Sequence, residues 1–483
     1  MRLKPVLSVV GLLLVVVGIA MLAALAVSWY CKEEDTLPIL SSSLITIFSG
    51  ALLLALFKAA GGEELRAREG FAIVTLGWVI IPAFGCLPFL FSGAIPWFTD
   101  AYFEAISGFT TTGASILTNV EVLPHGLLFW RSLTHWLGGM GIIVLSLAIL
   151  PLLGTGGMQL FKAEVAGPTK DKLTPRIAET ARLLWSVYVL ITTAEVILLI
   201  GAGMPLFDAV CHSFATIASG GFSTKNASIG YFNSPSIDAI VTFFMFLAGT
   251  NFALHYAALK GNPKLYLRND EFKFFTINFI IASVIVTAAI AGPSFHGDVV
   301  KAFRYSAFNV MSVMSCTGFS TTDFALWVPI AQIVLLFLLF PGGCAGSTAG
   351  GMKNIRVLLL FRTAANELKK LIHPKLVTAV RNDGRAVEAE ILFAIGGFII
   401  LYLATFAITA IVLAATGLDL VTSMSAVATC MAGCGPGLGT VGPVSNYAHL
   451  SVIAKWLLDA SMLLGRLEIY SVFVVFSSSF WKK

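Results

Sequence analysis

The chain has 483 residues, of which 57% are hydrophobic and 12% charged, and its formal net charge is +5. Soluble proteins carry about 25% charged residues, so this composition cannot cover a water-facing surface and most of the exterior must face lipid. The small positive charge is not gathered into a basic stripe, which argues against a nucleic-acid partner. The seven Cys are dispersed. Cys430 and Cys434 alone are close, with no matching His or second Cys pair, so the spacing suits small buried residues rather than zinc.

Arg2 and Lys4 precede an apolar run from Val6 to Trp29. A signal peptide has an apolar region of about 7–15 residues ending in small residues. This run is longer and ends in Trp29-Tyr30-Cys31, which predicts an uncleaved first span. Further apolar runs lie near 38–57, 71–92, 126–152, 182–203, 235–258, 274–292, 326–341, 388–416 and 450–478. Each approaches the roughly 20 residues a bilayer requires, except 326–341. That run stops at Pro341-Gly342-Gly343 and, with 352–363, reads as one broken helix.

Basic residues assign the sides. Segments 58–70, 153–181, 259–273 and 353–386 are rich in Lys and Arg, with Arg66, Arg68, Lys170, Lys172, Lys369 and Lys370 among them. Segments 93–125 and 417–449 have neither. The first group therefore faces the cytoplasm, and ten spans with both termini inside fit the pattern. The outer segments are too apolar for plain loops, and each predicts a half-length re-entrant helix followed by a Gly turn.

These turns repeat. Thr110-Thr111-Thr112-Gly113, Ala218-Ser219-Gly220-Gly221, Ser315-Cys316-Thr317-Gly318 and Ala432-Gly433-Cys434-Gly435 recur with the final Gly at intervals of 108, 97 and 117 residues. A cation leaving water loses tens of kcal/mol unless oxygens replace its hydration shell. Backbone carbonyls do this when the chain turns them inward, through angles that Gly adopts without strain. Short helices ending at the turn aim their partially negative C-termini at the same point. Four copies around an axis therefore predict one cation pore. The competing reading is four ordinary Gly turns in outer loops.

The chain resembles the bacterial potassium-uptake family of TrkH, TrkG and KtrB, most closely its TrkH and TrkG members, over nearly its whole length. The resemblance rests on the stretches 107–114, 212–218, 342–348 and 435–439, and on Gly465-Arg466-Leu467-Glu468. It implies an all-α polytopic membrane protein with ten transmembrane helices and four re-entrant pore helices. These would form four pseudo-symmetric helix–pore loop–helix repeats around one pore. Two N-terminal helices would occupy 1–60, and the repeats 61–165, 166–262, 263–372 and 373–483. It implies potassium binding at Thr111, Thr112, Gly113, Ser219, Gly220, Gly221, Thr317, Gly318, Cys434 and Gly435. It further implies a homodimer in the inner membrane and a cytosolic TrkA-type partner. NAD or ATP is expected only on that partner, with no covalent cofactor and no transition metal on this chain. No repeat matches a strict Thr-Val-Gly-Tyr-Gly filter, so selectivity over sodium is expected to be imperfect.

Control of the pore is expected elsewhere. The stretch 342–351 is built of small residues, including Gly342, Gly343, Gly346, Gly350 and Gly351. It reads as a mobile intramembrane loop beneath the filter, where the resembled family gates. A GxxxG helix-packing motif and a plain cytoplasmic linker compete with that reading. Arg466, deep in the last span, is expected to hold the loop through its carbonyls, or else to snorkel to the cytoplasm. Glu468 faces elsewhere. Arg131 is expected to pair, with Glu104 as candidate, and Lys455 to snorkel at the outer interface. Asp100, Asp208, Asp298, Asp323 and Asp419 either concentrate cations or are solvated loop carboxylates. Proton- or sodium-coupled symport is the alternative to channel-like uptake. It needs a buried acid or His on the pathway; His212 is the candidate, and a satisfied core His is its ordinary reading. No nucleophile, metal or nucleotide constellation suggests an enzyme.

Overall fold

The computed structural model describes residues 3–57, 67–149, 177–375 and 378–481. The expected boundaries 60/61 and 165/166, the residues Arg66, Lys170 and Lys172, and both chain ends lie outside these segments. Among the described residues, six helices are long and apolar enough to cross a membrane, and a bent pair makes up to a seventh.

Helices α1 (Leu3–Cys31) and α2 (Thr36–Leu56) form a hairpin. The Ser43 hydroxyl donates to the Gly18 carbonyl at 2.7 Å across it. Asp35 in the connecting turn accepts from Leu127 N–H at 3.0 Å, which fastens the hairpin to the rest of the fold.

Four units follow. The first comprises α3 (Ala67–Gly85), α4 (Leu87–Phe91), the short α5 (Phe98–Phe109) and α6 (His125–Ile149). The second comprises α7 (Ile177–Gly201), the short α8 (Leu206–Ile217), α9 (Pro235–Ala248) and α10 (Phe252–Leu259). A small helix, α11 (Lys264–Arg268), leads to the third: α12 (Asp270–Ile290), the short α13 (Val299–Met314), α14 (Pro329–Leu339) and α15 (Asn354–Ile372). The fourth comprises α16 (Ala389–Ala415), the short α17 (Leu420–Ala432), α18 (Val452–Arg466), α19 (Tyr470–Phe476) and α20 (Ser478–Trp481).

The C-terminal parts of the four re-entrant-length helices α5, α8, α13 and α17 are buried. In α5, all residues from Ala101 to Phe109 are buried. Their starts are set by local chemistry. Asp298 and Asp419 cap α13 and α17 by accepting from Lys301 N–H at 2.9 Å and Thr422 N–H at 3.1 Å. Such caps satisfy donors that the first helical turn leaves free.

Three features depart from the sequence reading. The run 235–258 is two helices meeting at 101°. The run 450–478 breaks after Arg466, where Glu468 and Ile469 take φ of 55° and 38°. Residues 381–386 form a two-stranded hairpin, Arg381–Asn382 against Arg385–Ala386, turned through Asp383 and Gly384.

Candidate functional site

The short helices end alike. At the first three ends, Thr110, Ala218 and Ser315 stay right-handed, with φ of −75°, −74° and −79°. Next come Thr111, Ser219, Cys316 and Gly433, left-handed with φ of 55°, 56°, 54° and 71°. Two residues on, Gly113, Gly221, Gly318 and Gly435 take φ of 80°, 79°, 83° and 81°. One hydrogen bond closes each turn: Thr112 N–H to Ser107 O, Gly220 N–H to Ala215 O, Thr317 N–H to Ser312 O and Cys434 N–H to Thr429 O. These bonds measure 2.8–2.9 Å. This is a Schellman-type helix stop, used four times. Alternating the sign of φ swings the carbonyls that follow away from the helix direction.

The four turns form a closed ring. A Cβ on Gly113 would strike the carbonyl of Gly220. One on Gly221 would strike that of Thr317, one on Gly318 that of Cys434, and one on Gly435 those of Thr112 and Gly113. Each glycine thus lies against the carbonyl preceding the glycine of the next unit, in chain order, and the fourth returns to the first. Eight of the ten expected filter residues make these contacts, and Thr111 and Ser219 sit just before them in the helix stops. Gly is required on two counts, left-handed φ and the absence of room for Cβ.

A second layer holds the ring. The Tyr447 hydroxyl donates to Gly435 O at 2.7 Å. His135 Nδ1 donates to Gly108 O at 2.8 Å, and its Nε2 accepts from Phe222 N–H at 3.2 Å, so one imidazole ties the first unit to the second. Arg131 does pair with Glu104, through Nη2 at 2.7 Å and Nε at 2.8 Å. Its guanidinium lies 3.9 Å from the Phe222 ring centre and donates to Ser223 O at 3.2 Å. Glu104 also accepts from Ser115 Oγ and Ile116 N–H at 3.0 Å. Removing one member of such a buried pair costs about 3–5 kcal/mol. Arg131→Ala is therefore expected to lower the thermal unfolding midpoint in detergent by several degrees, and an unchanged midpoint would contradict the pairing's importance.

Residues 342–351 form an irregular loop between α14 and α15, which excludes the GxxxG helix-packing reading because no helix runs through it. The bend between α9 and α10 seats it. That break frees Gly249 O and Phe252 N–H, which pair with Cys344 N–H at 2.8 Å and Gly346 O at 3.0 Å. Gly346 packs on the Asn251 side chain, and Gly350 leaves no room for a Cβ against Ala432 O. On its other side the loop meets the ring. Thr348 donates its hydroxyl to Ile217 O at 2.8 Å and lies 3.0 Å from Ser219 Oγ. Gly351 N–H donates to Ala432 O at 3.0 Å. Gly342 and Gly351 abut backbone to backbone, and Gly343 packs on Ala349.

Arg466 is 7% exposed and so does not snorkel. Its Nη1 donates to Thr348 O at 2.8 Å and its Nη2 to Gly138 O at 3.3 Å, bridging the loop to α6. Glu468 turns away to Arg356 at 2.6 Å, whose guanidinium lies 4.0 Å from the Phe398 ring centre.

The outer charges need correction. Lys455 is not an interfacial snorkel: it is 5% exposed and donates to Asp100 Oδ1 at 2.7 Å and Ala448 O at 2.9 Å. Asp298, Asp323 and Asp419 are caps, with Asp323 accepting from Ala325 N–H at 3.0 Å. Asp208 accepts from the Thr224 hydroxyl at 2.6 Å. Each of these carboxylates therefore has a structural partner. His212 is a satisfied core residue, with Nδ1 at 2.7 Å from Asp208 O and Nε2 at 2.9 Å from Ser223 Oγ.

Sequence reasoning passed over four other groups. Lys353 is buried, has φ of 72° and donates Nζ to Ala349 O in the loop. In the sequence it stands out only as part of a basic segment. His135 sits inside an apolar run, a signal in itself. Glu195 and Asp459 are buried, and among the described residues neither carboxylate has a hydrogen-bond partner.

Comparison with known proteins places the chain. The TrkH family profile, described as a cation transport protein, matches residues 37–483. The Trk system potassium uptake protein TrkH of Escherichia coli K12 is 42% identical over 487 residues, covering all of both chains. TrkG of the same organism is 36% identical, covering 98% of this chain and 97% of its own. The crystal structure of the potassium transporter TrkH from Vibrio parahaemolyticus superposes with a TM-score of 0.91 at 38% identity over the whole of both chains. The chain belongs to the TrkH family of cation transport proteins.

Proposed function

We propose that the chain takes up potassium across a bacterial inner membrane through one pore, selected at the ring of Gly113, Gly221, Gly318 and Gly435. The closed circuit of glycine against carbonyl around four units carries this reading. Such a ring offers a desolvated cation a shell of backbone oxygens, backed by four helix C-termini. The relatives' names supply the ion. On this reading ten spans surround four re-entrant helices, as two N-terminal helices and four repeats, with both termini cytoplasmic. The residues before the glycines differ between units, so the filter discriminates potassium from sodium imperfectly.

The 342–351 loop is the gate. Its donors occupy Ile217 O and Ala432 O, at the ends of α8 and α17, which are carbonyls that would otherwise face a passing cation. Arg466 holds the loop there and adds a positive charge below the ring. A homodimer, with a cytosolic TrkA-type subunit that binds NAD or ATP and releases the loop, completes the proposed assembly.

Coupling is a second reading, favoured by Asp459 and Glu195: a buried carboxyl without a partner is a place to carry a proton. Purified protein in liposomes separates the two. Rubidium influx down a potassium gradient without proton movement is expected from the channel-like reading. Stoichiometric proton co-movement would replace it with symport, and no rubidium flux even with the regulatory subunit present would refute both.

A further inference from the structure

Glu271, in the first turn of α12, is buried and gives one oxygen to two backbone amides. Its Oε1 accepts from Ala345 N–H at 2.7 Å and Ile355 N–H at 3.0 Å. Ala345 lies within the loop, and Ile355 lies in the first turn of α15 beyond it. One carboxylate therefore pins the loop at both sides of its glycine-rich turn.

The preceding residue reaches the other way. Asp270 N–H donates to Asp383 Oδ1 at 2.7 Å, and Asp383 N–H donates back to Asp270 Oδ2 at 3.1 Å. Arg362 Nη1 joins the pair, donating to Asp270 Oδ2 at 2.9 Å and to Arg381 O at 2.6 Å. Asn269 makes the junction stiff by capping α12, accepting from Phe272 N–H at 2.8 Å. Two consecutive residues at one helix start thus carry the intramembrane loop on one side and the 381–386 hairpin on the other.

We infer that Glu271 is a positioning residue that clamps the loop shut, and that the Asp270–Asp383 exchange makes the hairpin the lever through which displacement at the cytoplasmic surface reaches the loop. This rests on the reading of 342–351 as the gate. Arg466 holds the loop from the α18 side, at Thr348, while Glu271 holds it from the α12 side, at Ala345. Each of the two contacts adds separately to the preference for the closed loop, so loss of either raises basal opening, and only the α12 side connects directly to the hairpin.

The test uses full-length protein in liposomes with a potassium gradient and no regulatory subunit. Glu271→Ala is expected to raise basal rubidium influx about tenfold, the effect of losing ~1.4 kcal/mol of preference for the closed loop. The rubidium-to-sodium ratio is expected to stay at the wild-type value, since the ring is untouched. Glu271→Gln keeps an oxygen acceptor and is expected to remain within about twofold of wild type. Asp383→Ala is expected to raise influx by a smaller factor. Wild-type influx in Glu271→Ala beside raised influx in Arg466→Ala overturns the clamp and leaves the gate standing, whereas wild-type influx in both overturns the gate itself. A Gln variant as leaky as the Ala variant, or an altered ion ratio, contradicts a hydrogen-bond clamp. Wild-type influx in Asp383→Ala overturns the link to the hairpin. Should Glu271→Ala fail to reach the membrane, Glu271→Asp gives the same reading, because the shorter side chain withdraws its oxygen from the amides.

Discussion

Gly318→Ala is expected to cut selective potassium uptake sharply. The backbone there has φ of 83°, and a Cβ would land on the Cys434 carbonyl. Left-handed backbone alone costs a non-Gly residue roughly 1–2 kcal/mol, which the fold can absorb. The collision cannot be absorbed without turning the Cys434 oxygen away from the axis. An oxygen facing a charge contributes about 1.5–3 kcal/mol, so selective flux is expected to fall by roughly 10- to 150-fold. Gly417 supplies the control: its φ is 97°, but nothing lies within 4 Å of its Cβ position. Gly417→Ala is expected to keep the wild-type ion ratio at some cost in stability. A wild-type rubidium-to-sodium ratio in Gly318→Ala would show that the ring does not select.

Arg466→Ala is expected to do the opposite to flux. It frees Thr348 O and Gly138 O and removes a buried cation from beneath the ring. Hydrogen bonds from a charged donor contribute about 1.5–3 kcal/mol each, so the closed loop loses enough preference for basal influx to rise tenfold or more. The added flux is expected without any regulatory subunit and with the ion ratio unchanged. Arg466→Lys is expected to fall between, since an ammonium does not reproduce the planar fork that spans two carbonyls. Unchanged or lower flux in well-expressed Arg466→Ala would contradict the latch.

These two variants rest on features that were legible in the sequence to different degrees. The glycines could be read because a left-handed turn with no room for Cβ leaves one residue type, so four such turns leave a periodic trace. The loop could be read because a run such as Gly342–Gly351 makes a poor membrane helix. Arg466 stood out as a charge inside an apolar run. The supports of the site were not legible in the same way. His135 reaches across to Phe222 of the second unit, while Tyr447 and Arg131 meet Gly435 O and Glu104 within their own units, and these partners are either tens of residues away or backbone groups. The bend between α9 and α10 falls at Gly249-Thr250-Asn251, where Asn251 caps α10 by accepting from Ala253 N–H at 2.8 Å, and Cys344 and Gly346 from another unit seat it; three residues inside a long apolar run are a weak signal for so sharp a turn. Lys455 misled for a similar reason: a Lys near the end of a span normally reaches for water, and here Asp100 from a distant segment meets it first.

The same logic separates Glu271 from Glu104. Both are buried acids, yet Glu104 meets a side-chain cation, whereas Glu271 meets two amides that exist as free donors only because the chain between them is irregular. A sequence pattern does not register an acceptor whose partners are backbone groups in another element.

The most direct test of the central claim is to locate the ion. Crystals grown in rubidium and measured at its absorption edge give an anomalous difference map that reports the cation independently of the protein density. The four-unit ring predicts a peak on the axis enclosed by the carbonyls of Thr112, Gly220, Thr317 and Cys434. It predicts that the peak weakens or vanishes in Gly318→Ala. Rubidium bound instead at Asp459 or Glu195, with the ring empty, would contradict the account and move the ion's path away from the four glycines.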